Sequence, residues 1–263
     1  MRVTSAATRA APSLASDFAL GLDPVLFARS VGKPPDPWQA EVLLSTSRRV
    51  LLNCSRQSGK STVSAVTALH EALYRPDRLI LLFSPSLRQS SELFRTLAGL
   101  YTATGATVPP KAETQLRLEL ANGSRIISLP ASEATVRGYA GVHTIIIDEA
   151  ARVEDELYDA VLPMLATTNG RIVALSTPFG RLGWWAEAWQ SGGDLWERYE
   201  VRASECPRIS PAFLDEQRRT RGEWFFRQEF NCEFVDGVNN VFNSEDVERV
   251  FSGKVDTWNL FGD

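Results

Sequence analysis

Residues 50–62 read Val-Leu-Leu-Asn-Cys-Ser-Arg-Gln-Ser-Gly-Lys-Ser-Thr. The apolar part predicts a buried strand, and a polar loop then leads into a helical pattern, which is the order that a phosphate-binding P-loop requires. Gly59 would let the backbone approach a phosphate, Lys60 would reach the β- and γ-phosphates, and Ser61 would ligate Mg²⁺. Backbone N–H groups at the helix start would favour the same anion. The stretch therefore predicts an ATP site.

The loop departs from the usual P-loop pattern, because Cys54 stands where the first glycine is expected and Arg56 lies inside the loop. The alternative is an ordinary strand–turn–helix with an exposed lysine. On the P-loop interpretation, the predicted nucleotide-binding residues of the loop are Ser55, Arg56, Gln57, Ser58, Gly59, Lys60, Ser61 and Thr62.

A second predicted strand, residues 144–147, contains the apolar run Ile145–Ile147 and ends in Asp148 and Glu149. In a parallel sheet, ligands bind outside the carboxyl ends of the strands, where the P-loop also lies. Asp148 would hold Mg²⁺, and Glu149 would orient and deprotonate the attacking water. Strands often end in solvated acids, so the prediction depends on the pairing with the P-loop.

Three further features fit the same site. Ser176-Thr177, after another apolar run, would sense the γ-phosphate and couple hydrolysis to motion, or would simply cap a strand end. Trp38-Gln39 would contact the adenine, or Trp38 would anchor the N-terminal segment in the core. Arg137, in a loop before Asp148, would act as an arginine finger in cis or on a neighbouring subunit, or would be a surface arginine.

The order of elements predicts an α/β fold of the P-loop NTPase type, with a mostly parallel sheet covered by helices on both faces. Strands are expected at 49–54, 79–83, 144–147, 171–175 and about 195–201, and helices at 17–31, after Trp38-Gln39 to about Ser45, and at 62–73, 90–101, 154–165, 184–190 and from 211. The alternation of polar and apolar residues around Asn122-Gly123 predicts a β-hairpin at 114–130.

Composition limits the remaining possibilities. The chain has 263 residues, of which 44% are hydrophobic, enough for one large α/β domain. Its 28 basic and 32 acidic residues give no global signal for nucleic-acid binding. The three cysteines lie far apart, which fits a reduced protein without structural zinc, and no apolar run approaches the length of a membrane span.

The assembled motifs resemble the large terminase subunit of tailed bacteriophages. The similarity covers residues 36–242 and rests on Trp38-Gln39, residues 55–61, Arg137-Gly138, residues 148–151, residues 175–178 and residues 226–234. The Ser-Arg-Gln-x-Gly-Lys-Ser form of the loop is the most specific part, and in that family it does not require the first glycine.

The resemblance implies an ASCE-type (RecA-like) ATPase core that drives double-stranded DNA into a procapsid in the host cytoplasm, with ATP and Mg²⁺ as cofactors. It implies a homo-oligomeric ring, typically a pentamer, docked on the portal, and a small terminase subunit as partner. Arg56 would lie near the γ-phosphate, and Arg137 would be the better candidate for a finger acting on the neighbour's ATP. Lys60, Glu149, Arg56 and Arg137 are thus the predicted catalytic residues.

The predicted domain organisation is a flexible arm over 1–16, an ATPase domain over 17–235 with a lid-like part from about 180, and the start of a linker over 236–263. Large terminases usually continue into a nuclease domain. The chain stops about twenty residues past the resembling region, so we expect no nuclease activity from it.

Two other functions compete with this prediction. A helicase-type ATPase would need a second RecA-like domain, and a nucleotide-binding assembly module would have no use for Glu149. The DNA-contact surface stays open. Arg218, Arg219, Arg221 and Arg227 would contact phosphates or form a solvated face, while Trp184, Trp185 and Trp189 are expected to pack rather than stack on bases.

Overall fold

The fold is described by a computed structural model for residues 13–131 and 138–235. Its strands form a single eight-stranded sheet with the order β3-β4-β5-β2-β6-β7-β1-β8. The strands are β1 (Arg49–Cys54), β2 (Leu79–Ser84), β3 (Pro110–Glu113), β4 (Arg117–Leu120), β5 (Arg125–Pro130), β6 (Thr144–Asp148), β7 (Arg171–Ser176) and β8 (Glu197–Val201).

Six neighbouring strands, from β5 to β8 in that order, run parallel, and β3 and β4 extend one edge in antiparallel pairs. The predicted mostly parallel sheet and the hairpin between β4 and β5 are therefore confirmed. β3 was not predicted, because its four residues are all exposed and carry no apolar alternation.

Helices cover both faces of the sheet. They are α1 (Leu14–Leu22), α2 (Pro24–Ser30), α3 (Pro37–Leu44), α4 (Lys60–Tyr74), α5 (Leu87–Ala103), α6 (Asp155–Val161), α7 (Gly183–Ser191), α8 (Pro211–Arg221) and α9 (Glu223–Glu229). Among the described residues, none of the helices has both the length and the apolar character needed to cross a membrane.

The central strands are buried on both faces, which explains their continuous apolar sequence. Because side chains alternate along a strand, Val50 and Leu52 of β1 join the core beneath α4 and α5, whereas Leu51 joins the core on the opposite face, beneath α6 and α7. Two cores thus hold the sheet rigid and fix the positions of its strand ends.

Two predicted helices are wrong in their extent. The helix expected over 154–165 is α-helical only to Val161 and continues as a 3-10 helix over Leu162–Leu165. The single helix expected over 17–31 is two helices, because the Asp23 carboxylate accepts the N–H groups of Val25 and Leu26 and starts α2 with Pro24 at its first position. The C-terminal helical region likewise divides at Gly222, whose φ of 81° ends α8 before α9 begins.

Candidate nucleotide-binding site

The P-loop occupies residues 55–59, between the end of β1 and the first residue of α4. Gly59 has a φ of 95°, and a Cβ atom there would lie 2.6 Å from Nε2 of Gln39. The left-handed conformation favours glycine, and a side chain at this position would also displace the amide of Gln39. The sequence pattern therefore predicts this position for a local steric reason as well as for phosphate binding.

A cavity of about 480 Å³ opens at the carboxyl ends of the central strands, above this loop. It is lined by Arg56, Gln57, Gly59, Lys60, Ser61, Thr62, Gln89, Glu149, Arg152 and Thr177. Three of these side chains are cationic and one is a carboxylate, so the cavity favours an anion. Its size and charge suit a nucleotide polyphosphate.

The two acidic residues after β6 have different environments. Glu149 adopts a left-handed backbone conformation with a φ of 53°, and its Oε1 lies 3.0 Å from Nζ of Lys60. Asp148 is buried, and its Oδ1 accepts the N–H of Glu149 at 3.0 Å. Burial raises the pKa of Asp148 to about 6. Ser61 and Asp148 thus offer a hydroxyl and a carboxylate, which are oxygen donors that suit Mg²⁺.

Several predicted residues support the cavity without lining it. Gln39 is buried, its Oε1 accepts the N–H of Asp36 at 2.9 Å, and its Nε2 donates to the carbonyl of Gly59 at 3.4 Å. Trp38 packs partly buried against the core. The adenine contacts assigned to these two residues stay a prediction, and the amide of Gln39 contacts the P-loop backbone.

Ser55, Ser58 and Ser176 are fully buried, whereas Thr177 reaches the cavity. The Ser176 hydroxyl donates to the carbonyl of Thr177 at 2.7 Å. Of the predicted coupling pair, Thr177 is therefore the residue in position to contact a ligand.

Arg152 is a site residue that the sequence analysis missed. Its Nη1 donates to Oε2 of Glu149 at 3.0 Å and lies 3.4 Å from the hydroxyl of Thr177, and its guanidinium lies 4.8 Å from the ring centroid of Phe179. A single turn of 3-10 helix, Ala150–Arg152, places it three residues after Glu149. This i to i+3 spacing is the signal that could have identified it.

Glu229, in α9, was also missed. The side chain of Glu229 is 3% exposed. Its carboxylate accepts a hydrogen bond from Nε of Arg56 and lies 3.8 Å from Nη2 of Arg152. The backbone N–H of Arg56 donates to the carbonyl of Glu229 at 3.1 Å. The end of the described chain is thus attached to the P-loop through side-chain and backbone contacts.

Two further residues complete the surroundings of the loop. Nη2 of Arg208 donates to the carbonyl of Ser58 at 2.7 Å and pairs with Asp36 at 2.7 Å. Gln89, in the first turn of α5, lines the cavity. Neither residue lies in a motif, so the sequence offered no signal for them.

Arg137, the predicted arginine finger, lies outside the described residues.

The residues considered for DNA contact lie elsewhere. Around α8 and α9, Arg218 pairs with Glu223 and Arg227 with Glu233, at 3.2 and 2.6 Å. Trp184 stacks on Tyr158 at 4.2 Å between ring centroids, and Trp185 is buried, so the predicted packing role of these tryptophans is confirmed.

The chain resembles known proteins in both sequence and fold. A model of the family described as "Terminase large subunit, T4likevirus-type, N-terminal" matches residues 51–249. The chain is 26% identical over 261 residues to the terminase large subunit of Thermus virus P23-45, an alignment that covers 84% of this chain and 53% of that protein. The chain therefore spans about half the length of this relative.

Solved structures share the same architecture. The large terminase ATPase domain of Thermus phage P74-26 superposes with a TM-score of 0.70 at 24% identity, covering 80% of this chain and 97% of that one. The large terminase of a thermophilic bacteriophage, solved in complex with ADP, superposes with a TM-score of 0.64 at 10% identity, covering 76% and 54%. These matches confirm the predicted fold class.

Proposed function

Because this chain belongs to the T4likevirus-type family of terminase large subunits, through the N-terminal region of that family, we propose that it hydrolyses ATP to drive double-stranded DNA into a viral procapsid. The observation that carries the proposal is the 3.0 Å contact between Lys60 of the P-loop and Glu149 after β6. It joins a phosphate-binding group to a carboxylate able to act on water. That the thermophilic bacteriophage terminase was solved with ADP supports a nucleotide as the ligand.

Each side chain has a distinct role in this proposal. Lys60 and the N–H groups at the start of α4 bind the phosphates, and Arg56 contacts the γ-phosphate. Glu149 orients the attacking water and accepts its proton. Bound phosphate competes with Glu149 for Lys60, so nucleotide binding itself would release the carboxylate for catalysis.

Ser61 and Asp148 would hold Mg²⁺, which supplies positive charge against the developing charge of the phosphates. Burial of Asp148 fits this role, because a buried carboxylate is stabilised by a cation. Thr177, beside Ser176, senses the γ-phosphate from the cavity wall. Trp38 and Gln39 provide contacts on the adenine side of the loop.

The motor that we propose is a homo-oligomeric ring, a pentamer on the portal, which acts with the small terminase subunit in the host cytoplasm. In such a ring Arg137 reaches the ATP of the neighbouring subunit.

Steady-state ATPase activity against protein concentration, for the wild type and Arg137→Ala, tests the proposal. We expect the specific activity of the wild type to rise with concentration and that of Arg137→Ala to stay low. Arg95→Ala, which changes a surface arginine paired with Glu92, is the matched control. Activity that is independent of concentration and unchanged in Arg137→Ala would exclude the trans finger.

Lys60→Ala tests the ATPase itself. We expect it to abolish turnover at all protein concentrations, because no other lysine lines the cavity in the described part of the chain. Turnover at the wild-type rate in Lys60→Ala would refute the proposed site.

A further inference from the structure

A second group of basic residues lies at the opposite edge of the sheet. Arg48, Arg78 and His143 each immediately precede a strand, β1, β2 and β6 respectively, and Arg171 is the first residue of β7. These four strands are neighbours in the order β2-β6-β7-β1 and run parallel. The topology therefore brings the four side chains together at the amino ends of the strands, away from the P-loop.

A cleft of about 450 Å³ lies at this edge, close in size to the 480 Å³ of the nucleotide cavity. We call it the amino-edge cleft. The charged residues that line it are Arg48, Arg75, Arg78, Arg171 and Glu71. Burial lowers the pKa of both histidines in its wall, His70 and His143, and so favours their neutral forms. Four arginines thus face one carboxylate in a protein whose net charge is −4.

Some N–H groups of these arginines lack a hydrogen-bond acceptor. Nε and Nη2 of Arg171 and Nε of Arg78 are buried and have no hydrogen-bond partner among the described residues. Burial also lowers the pKa of Arg171. A buried cation with unpaired N–H groups is costly unless a ligand supplies the missing acceptors.

The carboxylates nearest to Arg171 already have other partners. Oε2 of Glu71 accepts the hydroxyl of Thr144 at 2.6 Å, and Glu197 accepts the hydroxyls of Ser45 and Tyr199. These two carboxylates stabilise the charged form of Arg171 electrostatically. They accept no hydrogen bond from its Nε or Nη2. Arg78 and Arg171 both line the cleft, so their guanidinium groups border the space that an external anion would occupy.

His143 adds a neutral donor. Its Nδ1 accepts the backbone N–H of Leu79 at 3.2 Å, so the neutral ring carries its proton on Nε2. A neutral N–H donor beside guanidinium groups is an arrangement that binds an oxyanion without adding further charge.

Helix capping does not account for the arginines. The C-terminal carbonyls of α4 at Ala72 and Leu73 accept Nδ2 of Asn122 at 2.8 and 3.2 Å, and the carbonyl of Glu71 accepts the backbone N–H of Arg75 at 3.0 Å. The carbonyl groups at this end of α4 thus already accept hydrogen bonds without the arginine side chains.

We propose that the amino-edge cleft binds a phosphate group through Arg78, Arg171 and the Nε2–H of His143. The phosphate comes either from the backbone of a nucleic acid or from free phosphate in solution. This site is separate from the nucleotide cavity, so it can be tested in a protein whose P-loop no longer binds phosphate.

The first measurement is isothermal titration of inorganic phosphate into Lys60→Ala protein, at constant ionic strength set with chloride. We expect binding in this background and at least a tenfold loss of affinity when Arg78→Met or Arg171→Met is added. Arg95→Met is the matched control and should leave the phosphate affinity unchanged. Phosphate binding that both cleft substitutions leave unchanged would overturn the proposal.

The second measurement identifies the source of the phosphate. The affinity for a short DNA duplex is measured by fluorescence anisotropy over a range of salt concentrations. If the backbone of DNA is the source, the slope of log K against log salt becomes shallower by about one in Arg78→Met. An unchanged slope together with lost phosphate binding identifies free phosphate. If the protein binds no phosphate and the slope does not change in Arg78→Met, the proposal is overturned.

Thermal unfolding without phosphate separates a ligand site from a structural role. If Arg171 serves a ligand, Arg171→Met should unfold at the same temperature as its parent or higher, because a buried unpaired cation has been removed. A lower unfolding temperature for Arg171→Met, combined with unchanged phosphate affinity in Arg78→Met, would contradict the inference. Circular dichroism checks that each variant retains its fold.

Discussion

Lys60 contacts Oε1 of Glu149 at 3.0 Å, so the two residues that would act on opposite sides of a γ-phosphate are paired with each other. The other oxygen of Glu149 accepts Nη1 of Arg152, also at 3.0 Å. The carboxylate is therefore held between two cations. A phosphate that displaces it from Lys60 leaves it attached to Arg152, whose position then determines where the carboxylate points.

Glu149→Gln should bind ATP and lose turnover. The amide keeps the size of the side chain but cannot accept a proton from water, so we expect kcat to fall by about 10² to 10⁴. Nucleotide binding is measured by fluorescence and turnover by phosphate release. Glu187→Gln, on the exposed side of α7, is the control. Turnover near the wild-type rate in Glu149→Gln would remove Glu149 from its assigned role.

Arg152→Ala should lower kcat more than it changes KM. Arg152 holds Glu149 through one oxygen, and a misplaced base slows the reaction by about 10- to 100-fold. Arg152→Lys retains a cation and should recover part of the rate. A change in KM alone, with kcat intact in both variants, would indicate that Arg152 binds the nucleotide instead of positioning Glu149.

Arg56→Ala and Glu229→Gln should lower the free energy of unfolding by different amounts, although both break the same ion pair. Arg56→Ala leaves a buried carboxylate whose remaining cation, Arg152, lies 3.8 Å away, and we expect it to lower the free energy of unfolding by about 1–3 kcal/mol. Glu229→Gln leaves an arginine whose side chain is 54% exposed and can be solvated, so we expect a loss below about 1 kcal/mol. Denaturant titrations of both variants and the double variant measure the difference. Equal losses would show that Glu229 is not held mainly by Arg56.

The sequence predicted the part of the site that follows from contiguous motifs. The P-loop and the strand ending at Asp148 combine an apolar run with a polar end, and a parallel sheet necessarily brings such ends to one edge. The resemblance to large terminases, drawn from the same residues, is confirmed by the family model. These features depend on local pattern and on topology, both of which the sequence encodes directly.

The parts that were missed depend on long-range packing. Glu229 approaches Arg56 only because α9 returns to the P-loop, and nothing in the sequence near Glu229 specifies that return. Arg208 reaches the carbonyl of Ser58 in the same way. Conversely, Asp23-Pro24 was a local helix-start signal within the predicted helix at 17–31, and it was overlooked because the apolar pattern continues across it.

Acidification should weaken the fold through His70. Its ring packs against Phe27 and Tyr74, its Nε2 contacts the carbonyl of Leu20 at 3.0 Å, and burial lowers its pKa below 6.5. The unfolded chain then binds a proton at this histidine more readily than the folded protein does. The contribution of His70 to the free energy of unfolding is therefore complete above pH 6.5, and it is lost as the pH falls through the lower pKa of the folded state.

The difference in unfolding free energy between the wild type and His70→Gln isolates this effect. We expect the difference to shrink between pH 7.5 and 5.5, because glutamine can donate to Leu20 but does not titrate. The raised pKa of Asp148 acts in the opposite direction, since folding then favours its protonated form, but it is common to both proteins and cancels. A difference that stays constant over this range would show that His70 keeps its ordinary pKa.

Gly59→Ala should damage both stability and nucleotide binding, whereas Gly99→Ala should be harmless. At Gly59 an L-residue must adopt a φ of 95°, which costs about 1–2 kcal/mol, and its Cβ would meet Nε2 of Gln39 at 2.6 Å and Nη2 of Arg208 at 3.1 Å. Both side chains also contact the carbonyls of the loop, so displacing them disturbs the phosphate-binding backbone.

Gly99 lies within α5 with no atom near its missing Cβ, and alanine there should raise the free energy of unfolding by about 0.5–1 kcal/mol. Thermal unfolding and nucleotide titration of the two variants make the comparison. Both variants exchange glycine for alanine. Opposite changes in the free energy of unfolding would therefore arise from the backbone conformation of Gly59 and from its contacts with Gln39 and Arg208. Unchanged nucleotide affinity in Gly59→Ala would mean that the loop tolerates the displacement and that phosphate binds elsewhere in the cavity.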